Sequence, residues 1–110
     1  MIIMKDSEKS VPAQGPQSAF YLLGDSICFG QLVSPNRTWV SRLAELLPGL
    51  LGGRVVVQNA SINGNTTRQA LERMAYDITS HSPDYLLVQF GMNDCNYWET
   101  DRGVPRVSKA

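Results

Sequence analysis

The stretch Ala19-Phe20-Tyr21-Leu22-Leu23-Gly24-Asp25-Ser26 decides the architecture. An apolar run this short, closed by glycine, is too brief for a helix and suits a strand buried on both faces, as in a parallel sheet. Beyond a loop holding Pro35 and Asn36, residues Trp39, Val40, Leu43, Leu46 and Leu47 fall at helical spacing within Thr38–Leu47, and Pro48-Gly49 is expected to end that helix. Val55-Val56-Val57, β-branched and bounded by Gly52-Gly53 and Asn59, predicts a second strand over Arg54–Gln58. Ala70, Leu71, Met74, Ala75 and Ile78 repeat the helical spacing within Thr67–Thr79, with Arg68 and Glu72 placed to pair one turn apart. Ser82-Pro83-Asp84 breaks that helix, and Tyr85–Phe90 follows as a third strand closing on Gly91. Strands alternating with helices imply right-handed crossovers and a parallel sheet with helices against its faces.

Composition narrows the function classes. The 110 residues suffice for one domain, and ten basic residues balance ten acidic ones without a cluster. That balance argues against nucleic acid or an anionic membrane as partner. No apolar run approaches the length of a bilayer span, and Met1-Ile2-Ile3-Met4 gives way at once to Lys5, Asp6 and Glu8 rather than to a signal-peptide core. Cytoplasm is therefore the default location. Residues 1–18 carry Pro12 and Pro16, show no periodicity and are expected to be a flexible leader, with residues 19–110 as the folded domain. Cys28 and Cys95 are too few and too far apart for a disulfide framework or a zinc site, so two reduced thiols are expected. The acidic residues show no ligand spacing; no metal and no cofactor is expected.

In a parallel sheet all carboxyl ends lie on one edge, where ligands bind at the point at which strand order reverses. The polar turns of this chain follow those ends: Gly24-Asp25-Ser26, Asn59-Ala60-Ser61-Ile62-Asn63-Gly64-Asn65 and Gly91-Met92-Asn93-Asp94. Ser26 on a tight strand-to-helix turn is a candidate nucleophile, because the backbone N–H groups of a helix start favour developing negative charge. Acyl transfer also needs donors aimed at the tetrahedral oxyanion. The candidates are the N–H of Ser26, the N–H of Gly64, where the missing Cβ permits close approach, and the uncharged amide of Asn93. Each turn has a plainer reading, since Gly, Asn, Asp and Ser populate turns for conformational reasons and Asp25 suits a helix cap. Their joint occurrence at three successive strand ends favours the site.

Tyr21-Leu22-Leu23-Gly24-Asp25-Ser26-Ile27 resembles the first block of the SGNH/GDSL hydrolase family, with Ile27 where leucine is usual. Residues 59–67 resemble the second block, with Asn65 where aspartate is frequent, and Gly91-Met92-Asn93-Asp94 the third. The resemblance implies a carboxylic ester hydrolase in which Ser26 is nucleophile, Gly64 and Asn93 complete the oxyanion hole, and Asp25 and Asp94 support them. Its substrates would be small esters, a carbohydrate acetyl ester or a lipid acyl ester. Alternation and resemblance together give the fold class: α/β, a three-layer flavodoxin-like sandwich, its parallel sheet covered by helices on both faces and incomplete, lacking the carboxyl-terminal strands and helices.

That incompleteness is expected from what the chain lacks. A serine needs a base, usually a histidine oriented by a carboxylate. The family's Asp-x-x-His block has no match, since Asp101 is followed by Arg102-Gly103-Val104, and His81 is the one histidine. His81 precedes the third strand, on the sheet edge opposite Ser26, and a strand of this length separates the two by roughly 17–20 Å. The expected chain is therefore a fragment of an esterase with little activity of its own, its third strand left as an open apolar edge able to pair with a second copy or another chain. The reading from another class is a non-catalytic interaction remnant that docks a polypeptide on that edge by strand addition. Tyr97 and Trp98 are expected either to line a substrate groove or to anchor absent core. A nucleotide-binding unit does not fit, because residues 24–30 match neither phosphate-loop glycine spacing. Cys28 as nucleophile is discounted for want of a group that would lower its pKa.

Overall fold

The computed structural model describes residues 2–5, 17–95 and 107. Along the chain lie β1 (Ile2–Lys5), β2 (Gln17–Gly24), α1 (Ser26–Phe29), α2 (Trp39–Leu51), β3 (Arg54–Asn59), α3 (Thr67–Asp77), β4 (Tyr85–Gln89) and α4 (Met92–Cys95), with single 3₁₀ turns at Pro35–Arg37 and Thr79–His81. The strands form one sheet in the order β1-β4-β2-β3. The apolar run quoted first is its central strand: β2 pairs in parallel with β3, from Gln17 against Arg54 to Leu22 against Asn59, and with β4, from Phe20 against Tyr85 to Gly24 against Gln89.

Side chains alternate across β2 as a pleated strand requires. Phe20 and Leu22 point to one face, where they pack with Leu87, with Val40 and Leu47 of α2 and with Cys28 of α1. Leu23 points to the other, where Ala70 of α3 and Ile78 close a second core flanked by Tyr21 and Leu86. Helices therefore cover both faces. Because β3 lies on one side of β2 and β4 on the other, strand order reverses at the carboxyl end of β2, which places Gly24-Asp25-Ser26 at the switch point where such sheets bind ligands.

Three expectations need correction. The third predicted strand is not an open edge, and the sheet is not wholly parallel. Ile2–Lys5 lies antiparallel against β4, with Ile2 opposite Val88 and Lys5 opposite Tyr85, so that part of the expected leader is a strand. A strand this short has no readable period, and its partner lies at the far end of the chain, so local pattern does not reveal it. The second correction is that Pro48 does not end α2. A proline in the last turn removes only one helical hydrogen bond, while Leu47 and Leu51 continue the buried stripe. The helix stops at Gly52, in the left-handed conformation at φ 76°, whose N–H bonds Pro48 O at 3.0 Å. Third, the ion pair on α3 joins Arg73 to Asp77 at 2.9 Å rather than Arg68 to Glu72.

Among the described residues no helix is long and apolar enough to cross a membrane, and no cluster of His, Cys, Asp and Glu could hold a metal ion. Cys28 is buried and Cys95 exposed, both as free thiols. Tyr97, Trp98 and Asp101 lie outside the described residues.

Candidate active site at the carboxyl ends of three strands

Strand β2 delivers Ser26 through a turn with no spare room. A Cβ on Gly24 would lie 2.8 Å from Cβ and Sγ of Cys28 and 2.9 Å from the backbone oxygen of Gln89. Only glycine lets the chain pass between α1 and β4. Asp25 is fully buried and caps α1, its Oδ1 accepting the Ile27 N–H at 2.9 Å while Oδ2 faces Nε2 of Gln89 at 3.4 Å. This is the expected capping role, and it fixes the residues on both sides of Ser26. Helix α1 is one turn long and ends at Gly30, φ 81°, whose N–H returns to Ser26 O at 3.0 Å. So short a helix has little macrodipole; what Ser26 gains is the local N–H of a first-turn position without a helical acceptor.

The loop after β3 is stitched to that turn. Asn59 Nδ2 donates to Cys28 O at 2.9 Å, and Asn59 Oδ1 accepts the Ser61 N–H at 3.1 Å. The Ile62 N–H donates to Gly24 O at 3.1 Å. Gly64 follows at φ +77°, a conformation that side chains disfavour, although a Cβ there would meet nothing within 4 Å. Arg73 of α3 holds the far side: its Nε donates to Asn65 Oδ1 at 2.8 Å and its Nη1 to Ala60 O at 2.6 Å.

Asn93 joins from the third strand end. Its Nδ2 donates to Asn65 O at 3.0 Å, one residue beyond Gly64. Asp94 reaches to the start of α3, where Oδ1 accepts the Thr67 N–H at 2.8 Å and Oδ2 the Thr67 hydroxyl at 2.6 Å. Hydrogen bonds thus run from the Ser26 turn to the residues 59–65 loop and on to Asn93. The structure brings all three polar turns to one edge of the sheet.

His81 is elsewhere. It is exposed on the 3₁₀ turn after α3, its ring stacked on Tyr21 with centroids 5.6 Å apart. Tyr21 lies about 10 Å back along β2 from Gly24, where the turn that carries Ser26 begins. Burial pushes the Cys28 thiol up to about 11; the Ser61 hydroxyl is a group that lowers it, but burial outweighs that and the Asp25 charge adds to the rise. A thiol so protonated is no nucleophile at neutral pH.

Sequence reasoning missed the residues that hold the site rather than form it. Asn59, Arg73 and Gln89 all act through others. Gln89 carried a signal, being polar in an apolar strand whose neighbours face a core. Arg73 carried none, since an arginine on an amphipathic helix looks solvated. Beside Ser26 an open groove of about 330 Å³ runs between α1 and α2, walled by Ile27, Gln31, Val33, Arg37 and Trp39. Its wall is pinned by Trp39 Nε1, which donates to Ile27 O at 2.8 Å.

Residues 22–107 match the GDSL-like lipase/acylhydrolase family. The chain belongs to that family. It is 38% identical over 76 residues to an arylesterase of Vibrio mimicus, covering 66% of this chain and 36% of that relative. It is 36% identical over 73 residues to thioesterase 1/protease 1/lysophospholipase L1 of Escherichia coli K12, covering 66% of this chain and 33% of the relative. The chain therefore spans about a third of the length of these curated relatives. In fold it resembles AlinE4, an SGNH-hydrolase family esterase, with a TM-score of 0.63, 24% identity, and coverage of 73% of this chain and 43% of that one.

Proposed function

We propose that this chain carries the nucleophile and oxyanion-binding half of a carboxylic ester hydrolase. Ser26 Oγ attacks the ester carbonyl, and the N–H groups of Ser26 and Gly64 and the Asn93 amide receive the oxyanion. Asp25 positions Ser26 by capping its turn, and Asp94 positions Asn93 by anchoring the adjacent residue to α3. The observation that carries this reading is the Asn93 Nδ2 to Asn65 O bond of 3.0 Å, which sets the carboxamide beside the Gly64 turn. An amide nitrogen carries two hydrogens, so one remains for the substrate.

Turnover needs a base that takes the serine proton, and no Asp-x-x-His occurs in the 110 residues. Activity is therefore expected to be low, at most the roughly 10³–10⁴-fold over water that an oxyanion hole and binding retain without a full triad. Slow stoichiometric labelling tests the assignment. An alkyl fluorophosphonate incubated with the chain should modify Ser26, located by peptide mass spectrometry, and Asn93→Ala should slow it by up to about a hundred- to a thousandfold. Labelling spread over other serines, or an unchanged rate in Ser26→Ala, would sink the proposal. As for substrate, the relatives' names point to aryl esters and acyl thioesters, and the open groove beside Ser26 suits a small ester.

A further inference from the structure

The groove beside Ser26 holds a charge that ester cleavage itself does not require. Arg37 lines it together with Ser26, Ile27 and Val33, and the lining contains no carboxylate. Among the described residues the Arg37 guanidinium has no acidic partner: the exposed ion pair nearby joins Arg42 to Glu45, and the carboxylate closest in sequence to Ser26, Asp25, is fully buried on the Ile27 N–H. We propose that Arg37 determines specificity, making this groove a subsite for the negatively charged portion of a carboxylate-bearing ester, a reading that rests on Ser26 as the nucleophile.

The groove is built rather than incidental. Pro35 opens the 3₁₀ turn that carries Arg37, and the Arg37 N–H donates to Ser34 O at 2.8 Å, so the backbone beneath the guanidinium is fixed. The Ser41 hydroxyl ties Pro35 O to α2. On the opposite side Gly30 allows α1 to approach α2 closely, since a Cβ there would lie 2.5 Å from Cγ2 of Thr38. Trp39 locks the two helices together through Ile27 O at 2.8 Å. Ser26 and Arg37 thus line one groove whose walls are tied together, and half-exposed Ile27 and Val33 give that groove apolar surface. An ester whose carbonyl meets Ser26 and whose short chain crosses that surface brings a terminal carboxylate to the guanidinium, which can accept it through two N–H groups.

Binding tests this without requiring turnover. Two ligand pairs are titrated into the ¹⁵N-labelled chain and followed by amide and Arg side-chain NMR shifts: monoethyl succinate against diethyl succinate, with the charge on the acyl side, and acetoxyacetate against its ethyl ester, with the charge on the alcohol side. In at least one pair the acid should bind roughly two- to fivefold tighter than its neutral ester, the scale of an exposed ion pair, with shifts at Ser26, Gly30 and the Arg37 Nε–H. The preference should shrink as salt is raised. Arg37→Gln should abolish it, and Arg37→Lys should restore part of it. The pair showing the preference identifies which side of the ester enters the groove. Equal affinities in both pairs, binding of neither member, or a preference surviving Arg37→Gln overturns the proposal. Fluorophosphonate labelling of Ser26 is independent of these readouts: loss of labelling with the charge preference intact would reject the hydrolase, and labelling without preference would reject the subsite alone.

Discussion

At the scale of single residues, two glycines of the site are required for opposite reasons. Gly24 has an ordinary backbone but no space, its missing Cβ replaced by the Cys28 side chain and the Gln89 carbonyl. Gly64 has space but a left-handed backbone at φ +77°. Alanine at position 24 must push a strand backbone or the first helix aside, an overpacking cost of about 1–3 kcal/mol. Alanine at position 64 meets only the local conformational penalty, about 1–2 kcal/mol. Urea unfolding of the two variants checks the first half of this contrast, and Gly24→Ala is expected to be the more destabilised. Fluorophosphonate labelling checks the second. Gly64→Ala should fold and yet label Ser26 slowly, since it perturbs the turn that presents the N–H; a Gly64→Ala chain labelled at the parental rate would remove Gly64 from the oxyanion site.

At the scale of elements, α3 matters as much for the loop it grips as for the face it covers. Its start is secured by the reciprocal bonds of Thr66 and Gln69 and by Asp94, and its middle by Arg73, which spans Asn65, Ala60 and Asp77. Replacing Arg73 by alanine removes three side-chain hydrogen bonds, each net about 0.5–1.5 kcal/mol in a half-buried setting. The expected result is a loss of about 2–3 kcal/mol in chemical denaturation, together with faster amide exchange across residues 60–65. Unchanged exchange there would show that the loop is held from the β2 side alone. How much of this was legible in sequence follows from the same elements. The buried run 19–23, the valine triplet and the two apolar stripes report on local burial, so three parallel strands and both long helices could be read directly. Ser26, Gly64 and Asn93 could be read because each lies in a turn of small polar residues just past a strand. Gln89 stood out as polar in an apolar strand, but its role, like those of Arg73 and Asn59, is set by partners outside its own element. Arg37 is the same case: nothing local distinguishes a groove arginine from a solvated one.

At the scale of the whole molecule, the edge that β1 covers is weakly secured among the described residues. Ile2, Ile3 and Met4 are all half-exposed or more, so β1 gains little from burial and is held chiefly by backbone pairing with β4. Without it, the unpaired N–H and C=O groups of Tyr85–Gln89 would form an apolar edge of the kind that templates association. With it, the outermost strand is only four residues long, a feature that discourages further pairing. A chain lacking residues 1–5 is therefore expected to form larger species than the parent at the same concentration, measured by light scattering coupled to size exclusion. Ile3→Pro, which removes a backbone donor and disfavours the strand without shortening the chain, should move it the same way. Because both changes lie at the edge remote from β3, fluorophosphonate labelling of Ser26 should persist in whatever monomer is left. If instead both variants stay monomeric at concentrations where the parent does, with unchanged stability, then β1 is not what protects β4, and the edge is guarded by the chemistry of its own side chains.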